Sequence, residues 1–374
     1  MFKFKQYEFK RYNITLIILV IILGLIGAFL IKQVEAEGET IFIRHLIGIA
    51  GGILLAVFVS LFDYHFICEF YIVLYIINLV LLVLVKLIGT TYNHAQRWLE
   101  IGPLPSFQPS ELTKIILILF TAKLFTLLRP KINNVFVLIF STIAVAAPTY
   151  LILIQTNLST SMVIMFIFVM MIFAAGLSWK IILPILVIGI PCFFGLFWYI
   201  QQDYQVLLEP YQQERVLSIL NPEEYEDTMF QQDSSKLAIG SGQLYGKIFS
   251  DDPSGVRSYD YIPISESDFI FSVAGEEFGF IGSCLIIGLF AVIIYICLMT
   301  ARKAPDYMGM LIAVGIASMF MFQVFVNIGV ATSILPNTGI PLPFLSSGLS
   351  SLISGMLAIG IILNIRLQPK KLRG

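Results

Sequence analysis

The chain has 374 residues, of which 58% are hydrophobic and only 13% charged, with a mean hydropathy of +0.89. A soluble domain of this size would be about a quarter charged, so the composition excludes an ordinary water-soluble globule. A formal charge of −1, with the basic residues scattered through short segments, excludes a nucleic-acid-binding surface.

A bilayer core about 30 Å thick needs about 20 apolar residues per helix. Runs of this kind predict transmembrane helices near 13–32, 43–62, 67–88, 111–128, 133–154, 158–176, 179–200, 268–300, 306–334 and 346–366. The fold class is therefore all-α: a polytopic integral membrane protein of about ten helices, in a single membrane domain over 1–374. The first run follows Lys3, Lys5, Lys10 and Arg11. It is too long for a signal-peptide core and has no small-residue cleavage site, so it is expected to be retained. An even number of spans leaves both termini on one side. Arg129, Lys131, Lys180, Arg302, Lys303 and the tail with Arg366, Lys370, Lys371 and Arg373 fall on that side, which the positive-inside rule makes the cytoplasm. Cys68, Cys192, Cys284 and Cys297 sit in apolar runs without paired spacing and read as buried small hydrophobes.

Two outer segments are long enough to hold function. The first, about 89–110, contains Gln96, Arg97 and Trp98; Trp98 can equally be an interfacial anchor. The second, 201–267, lies between the seventh and eighth helices and carries 12 acidic residues against four basic ones, Arg215, Lys236, Lys247 and Arg257. Tyr211, Tyr225, Tyr245, Tyr259 and Tyr261 and several glycines predict a folded, partly membrane-apposed structure. The run Glu223, Glu224, Glu226 and Asp227 has no metal-ligand periodicity and reads as a solvated face. His45, His65 and His94 are isolated and read as ordinary polar contacts.

Charged groups at membrane depth are costly unless paired or hydrated, which makes each a functional candidate. Asp268 stands first among them, in Pro263-Ile-Ser-Glu-Ser-Asp268-Phe-Ile-Phe, where an outer-face helix begins. Glu276 follows eight residues on with Glu277 beside it, about 12 Å along a helix and near the same face. A carboxylate in a partly dehydrated cleft can act as a general base. The plain alternative is that Asp268 caps the helix. In Gln108-Pro-Ser-Glu111-Leu-Thr-Lys114, Glu111 and Lys114 are three apart and can pair, while Ser110 suits an N-cap. Lys114 can help hold a phosphate if it faces a cavity. The absence of a Walker-type loop and of a nucleophile elbow argues against ATP hydrolysis and serine hydrolase chemistry.

At these residues the chain resembles the SEDS family, the polytopic peptidoglycan polymerases typified by RodA, FtsW and SpoVE. Four stretches carry the likeness. They are Gln96-Arg-Trp98 with Phe107-Gln-Pro-Ser-Glu-Leu112 and Lys114; Arg215 with Asn221-Pro222, Ala238-Ile-Gly-Ser-Gly242 and Gly246-Lys247; Ser267-Asp-Phe-Ile-Phe271 through Gly275-Glu-Glu277 to Gly279 and Gly282; and Thr338-Gly-Ile-Pro-Leu-Pro-Phe344. The resemblance implies an inverting glycosyltransferase that polymerises lipid II, an undecaprenyl-pyrophosphate-linked disaccharide-peptide, outside the cytoplasmic membrane. It implies that Asp268 is catalytic and that Trp98 bears on activity. Arg97, Glu111, Lys114, Arg215, Lys247, Glu276 and Glu277 are the expected substrate-binding residues, with Lys114, Arg215 and Lys247 offsetting the pyrophosphate charge, aided by a divalent cation such as Mg2+ or Mn2+. The implied partner is a class B penicillin-binding protein, a transpeptidase, meeting the eighth and ninth helices and the large outer loop. Membrane lipids surround the bundle.

Two positions depart from the family pattern. Gln155-Thr-Asn157-Leu-Ser-Thr160 carries an amide where relatives have an acid, and Ser346-Ser-Gly-Leu-Ser-Ser351 replaces Ser-Tyr-Gly-Gly-Ser-Ser. The compact length and short N-terminus favour a RodA-like elongation enzyme over a division or sporulation paralogue. The alternatives are a lipid II flippase, which Pro184, Gly189 and Pro191 would suit, and a scaffold without catalysis.

Overall fold

A computed structural model of the chain describes residues 7–36, 38–92, 95–100, 106–202, 204–207, 210–221, 224–249 and 256–368. It is a helical bundle. In chain order the bundle helices are α1 (Ile14–Val34), α2 (Ile41–Ser60), then a short α3 (Tyr64–Glu69) leading into α4 (Tyr71–Ile88). After the small hairpin β1 (Thr90–Tyr92) and β2 (Ala95–Trp98) come α5 (Pro109–Leu127), α6 (Val135–Ile154), α7 (Leu158–Ala174) and α8 (Trp179–Ile200). The large outer loop holds α9 (Pro210–Leu220) and α10 (Glu226–Ser241), and the chain closes with α11 (Ile270–Arg302), α12 (Tyr307–Ala331) and α13 (Leu349–Leu367).

Eight of these helices are long and apolar enough to cross a membrane; α7 is shorter at 17 residues, and α5 carries Glu111, Lys114 and Lys123. The third expected helix, 67–88, is broken after Glu69, so that α3 forms a separate turn. Pro184 and Pro191 lie inside a continuous α8, and Pro148 inside α6. Cys68 and Cys297 are buried as expected, whereas Cys192 and Cys284 are exposed on the apolar outer surface of the bundle.

The core forms around α12 and α13. α12 packs on α11, α7 and α5, and α13 on α2. Without a hydrophobic drive between helices in lipid, close approach depends on small residues. A Cβ on Gly360 of α13 would sit 2.7 Å from the Ala56 carbonyl oxygen of α2, so any larger residue would push the two helices apart.

α11 is 33 residues long, about 50 Å at 1.5 Å per residue, well beyond a bilayer core. It breaks at Gly279, where φ is 63° and ψ −164°. The two N–H groups released there are taken up by the loop after α10: Phe280 N donates to Gln243 O at 2.9 Å and Ile281 N to Leu244 O at 3.2 Å. A side chain at 279 would be strained by the backbone and would also run into Gly246 N, 2.3 Å from its Cβ.

The described ends of the chain meet at one face, where Glu8 N donates to Leu367 O at 2.9 Å. A polar cluster closes that face. His65 lies between Asp63 (Nδ1 to Oδ1, 2.7 Å) and Asp306 (Nε2 to Oδ2, 2.5 Å), and the Tyr64 hydroxyl donates to Asp306 Oδ1 at 2.8 Å. Asn364 of α13 accepts from Tyr64 N at 3.0 Å and donates to Ser60 O at 2.7 Å. His65 is thus an ion-pair partner, unlike the isolated contact expected from sequence, while His45 is buried in α2 and His94 lies outside the described residues.

Candidate active site

The opposite face gathers the residues singled out by sequence. Asp268 lies half-buried in the irregular segment before α11. The helix begins at Ile270 with Phe269 in the N-cap position, so Asp268 stands one residue before the cap. Its Oδ1 accepts from Ser267 Oγ at 3.2 Å. The main chain around it is held more firmly. Ser347 N donates to Glu266 O at 2.9 Å, Ser346 Oγ to Ser267 O at 2.6 Å, and Asn327 Nδ2 to Asp268 O at 2.8 Å. Three consecutive carbonyls are therefore fixed, two by the last outer segment and one by α12. Gly339, at φ +68°, passes over the carboxylate, and a Cβ there would stand 3.1 Å from Asp268 Oδ2.

From Gly339 a run of contacts leads to Arg97. The Thr338 carbonyl accepts from Ser159 Oγ in the first turn of α7. Asn157 caps that helix, its Oδ1 accepting from Thr160 N at 3.1 Å while Nδ2 lies 3.5 Å from Ser110 Oγ. The amide serves both contacts, its oxygen accepting from the backbone and its nitrogen donating to the hydroxyl. Arg97 Nη2 donates to Thr156 O at 2.5 Å. The positive end of the α7 dipole and the guanidinium thus lie together on this side of Asp268. Trp98, next along β2, is half-buried, and its carbonyl accepts from Thr90 Oγ1 at 3.4 Å.

Glu111 and Lys114 pair at 2.8 Å with side-chain exposures of 5% and 2%. Ser354 Oγ of α13 donates to the Glu111 carbonyl at 2.8 Å. Ser110 is not the N-cap, because α5 starts one residue earlier with Pro109 at N1, where proline's fixed φ and missing N–H cost nothing. Lys114 borders a small hollow walled by Leu117, Val145, Ile164, Phe168 and Met171, an apolar setting poorly suited to a pyrophosphate.

Glu276 and Glu277 face the outer loop. Glu276, fully buried, pairs with Lys247 and accepts from Ser258 N at 2.8 Å and Tyr259 N at 3.0 Å. Glu277 accepts from Arg257 Nε at 2.7 Å and the Tyr259 hydroxyl at 2.9 Å. Burial, and then the hydrogen bond and charge of Glu277, push the Tyr259 phenol well above its ordinary range. These two acids bolt the outer loop onto α11, and Lys247 meets a carboxylate there. Arg215 lies on α9 with its side chain outside the described part, as are Glu223 and the side chains of Glu226 and Asp227.

A hollow opens between 31–41 and 259–266, lined by Ile31, Val34 and Ile262 and by the carboxylates Glu35, Glu39, Asp260 and Glu266. Among the described residues no three His, Cys, Asp or Glu side chains come together as a metal-ligand set.

Sequence reasoning did not find Asn327, Ser346 or Ser159, which hold the segments around Asp268. A usable signal existed for the first: an asparagine inside an apolar helix is costly in lipid and calls for partners.

Fold and site together define a polytopic helical membrane protein whose reactive side chains collect at one end of the bundle. The family model for FtsW, RodA and SpoVE, described as "Cell cycle protein", matches residues 10–371, and the chain belongs to that family. It is 36% identical to Stage V sporulation protein E of Bacillus subtilis over 291 residues, 77% of this chain and 75% of that protein. It is 34% identical to the peptidoglycan glycosyltransferase MrdB of Escherichia coli K12 over 305 residues, 80% of this chain and 78% of that one. Among solved structures it is similar to a chain of a peptidoglycan synthase complex, with a TM-score of 0.77, 28% identity and coverage of 95% and 97%. The rod shape determining protein RodA of Thermus thermophilus gives a TM-score of 0.69, 26% identity and coverage of 96% of both chains.

Proposed function

We propose that this protein is a peptidoglycan glycosyltransferase that polymerises lipid II at the outer face of the cytoplasmic membrane, with both termini in the cytoplasm. The observation that carries the reading is Asp268: a half-buried carboxylate just ahead of the α11 N-cap, on a main chain held at three successive carbonyls. The names of the relatives MrdB and FtsW support the same activity.

In this mechanism Asp268 takes the proton from the acceptor 4-hydroxyl of GlcNAc. That oxygen bonds to C1 of the donor MurNAc as the C1–O bond to undecaprenyl pyrophosphate breaks. An α-linked donor and a β-linked product require inversion in one displacement, so one base suffices. The leaving pyrophosphate needs positive surroundings. The hollow lined by four carboxylates repels it, and Lys114 and Lys247 are each already matched by a buried acid. In this reading it is received toward Arg97 and the positive N-terminus of α7. A class B penicillin-binding protein would meet the exposed apolar residues of α11 and α12, such as Phe280, Leu285, Tyr295 and Phe325; similarity to a chain of a synthase complex supports this.

Purified protein supplied with lipid II in detergent tests the proposal. Wild type should form glycan and Asp268→Ala should not. A lipid carrier would instead move labelled lipid II across proteoliposomes without making glycan, and a scaffold would tolerate Asp268→Ala in complementation.

A further inference from the structure

Asn327 of α12 is 1% exposed, within the core of the bundle. Both contacts of its amide nitrogen are to carbonyl oxygens, Asp268 O and Ile340 O, each at 2.8 Å. A carbonyl can only accept, so the nitrogen is the atom that must face this pair. The other end of the amide, Oδ1, is buried without a hydrogen-bond partner. Leaving an acceptor unsatisfied costs about 1–3 kcal/mol, which a residue retained only for packing would not incur. Leucine would fill nearly the same space with no orphaned acceptor of its own, but it would leave both carbonyls without this donor.

The two carbonyls, of Asp268 and Ile340, lie 72 residues apart in the chain. One carries the candidate base and the other the Gly339 turn that passes over its carboxylate. α12 is among the most buried helices of the bundle, so it is a rigid post for both. We infer that Asn327 is a positioning residue that sets Asp268 and the turn above it in one fixed relation for proton transfer, an inference that rests on the polymerase reading. It touches no reacting atom; it acts through the main chain of Asp268.

The experiment compares Asn327→Leu, which keeps volume and removes both donors, with Asn327→Ser, which is too short to reach both carbonyls and is gentler on folding. Asn364→Leu is the control, since Asn364 is equally buried and doubly bonded but sits at the far face. Both Asn327 variants should lower kcat for lipid II polymerisation about 10- to 100-fold, as displacement of a catalytic group by about 1 Å does. KM should stay within about twofold, because substrate contacts are untouched. Hydrogen exchange should rise in peptides spanning 264–269 and 338–342, and the control should change neither readout. Unchanged kcat in the Asn327 variants, or unchanged exchange in either segment, overturns the inference. If wild type is as inactive as Asp268→Ala, the polymerase reading fails, and with it the catalytic role of Asn327; the exchange comparison then decides whether Asn327 holds the two segments at all.

Discussion

The two ends of the bundle treat their carboxylates in opposite ways. At the face where the termini meet, Asp306 is occupied on both oxygens: Oδ1 by the Tyr64 hydroxyl and Gly309 N, Oδ2 by His65. At the other face the firm grip is on the main chain of Asp268, through the carbonyls of residues 266–268. A carboxylate used as a strut is held by its oxygens, and satisfying them holds it in the ionised state. The contrast separates an acid tied down through its carboxylate from one whose main chain is pinned at three successive carbonyls.

Asp268→Asn is the sharpest way to break the comparison. Loss of a general base is expected to lower kcat by about 10²- to 10⁴-fold, with the melting temperature in detergent unchanged. A fully active variant, or one that fails to fold, would put Asp268 in the same class as Asp306.

Arg257→Ala comes next, on the same face but in a strut. It leaves Glu277, only 2% exposed, without its cationic partner, at an expected cost of about 3 kcal/mol. Denaturation in detergent measures the cost, and faster exchange over 256–262 should accompany it. A smaller change is expected from Asp306→Asn, about 1–2 kcal/mol of stability with polymerisation retained, because the site lies at the other end of the molecule.

The smallest effect is one of pH. Desolvation lowers the His65 pKa, but hydrogen bonds and charges from Asp306 and Asp63 outweigh it and raise the group to about 9. A group raised from its ordinary value of about 6.5 contributes stability fully below that value and loses it as pH rises through about 9. The melting temperature should therefore fall by about 2–4 °C between pH 7 and pH 10. His65→Phe should remove that slope; if the slope persists in the variant, the ion pair at the far face is not its source.

The polytopic all-α bundle was readable from hydrophobic run length, because lipid allows few other solutions. The partners of the motif acids were not. Lys247 and Glu276 are 29 residues apart and meet only because α11 and the loop after α10 fold onto each other. The split of the third helix at Glu69 was hidden because Phe70 and Tyr71 keep the run apolar across the break. Ser346, Ser159 and Asn327 bond to carbonyls, which every residue has, so nothing in the partner's identity announces the pairing.

The break at Gly279 has a mechanical side. The carbonyls of Gln243 and Leu244 plug the gap it opens in α11, and one turn earlier Glu276 and Glu277 clamp the stretch around Tyr259. The extramembrane lobe is thereby riveted at two heights to the same rod whose tip begins two residues after Asp268. A shift of that lobe therefore carries the rod with it, and the rod starts within two residues of Asp268.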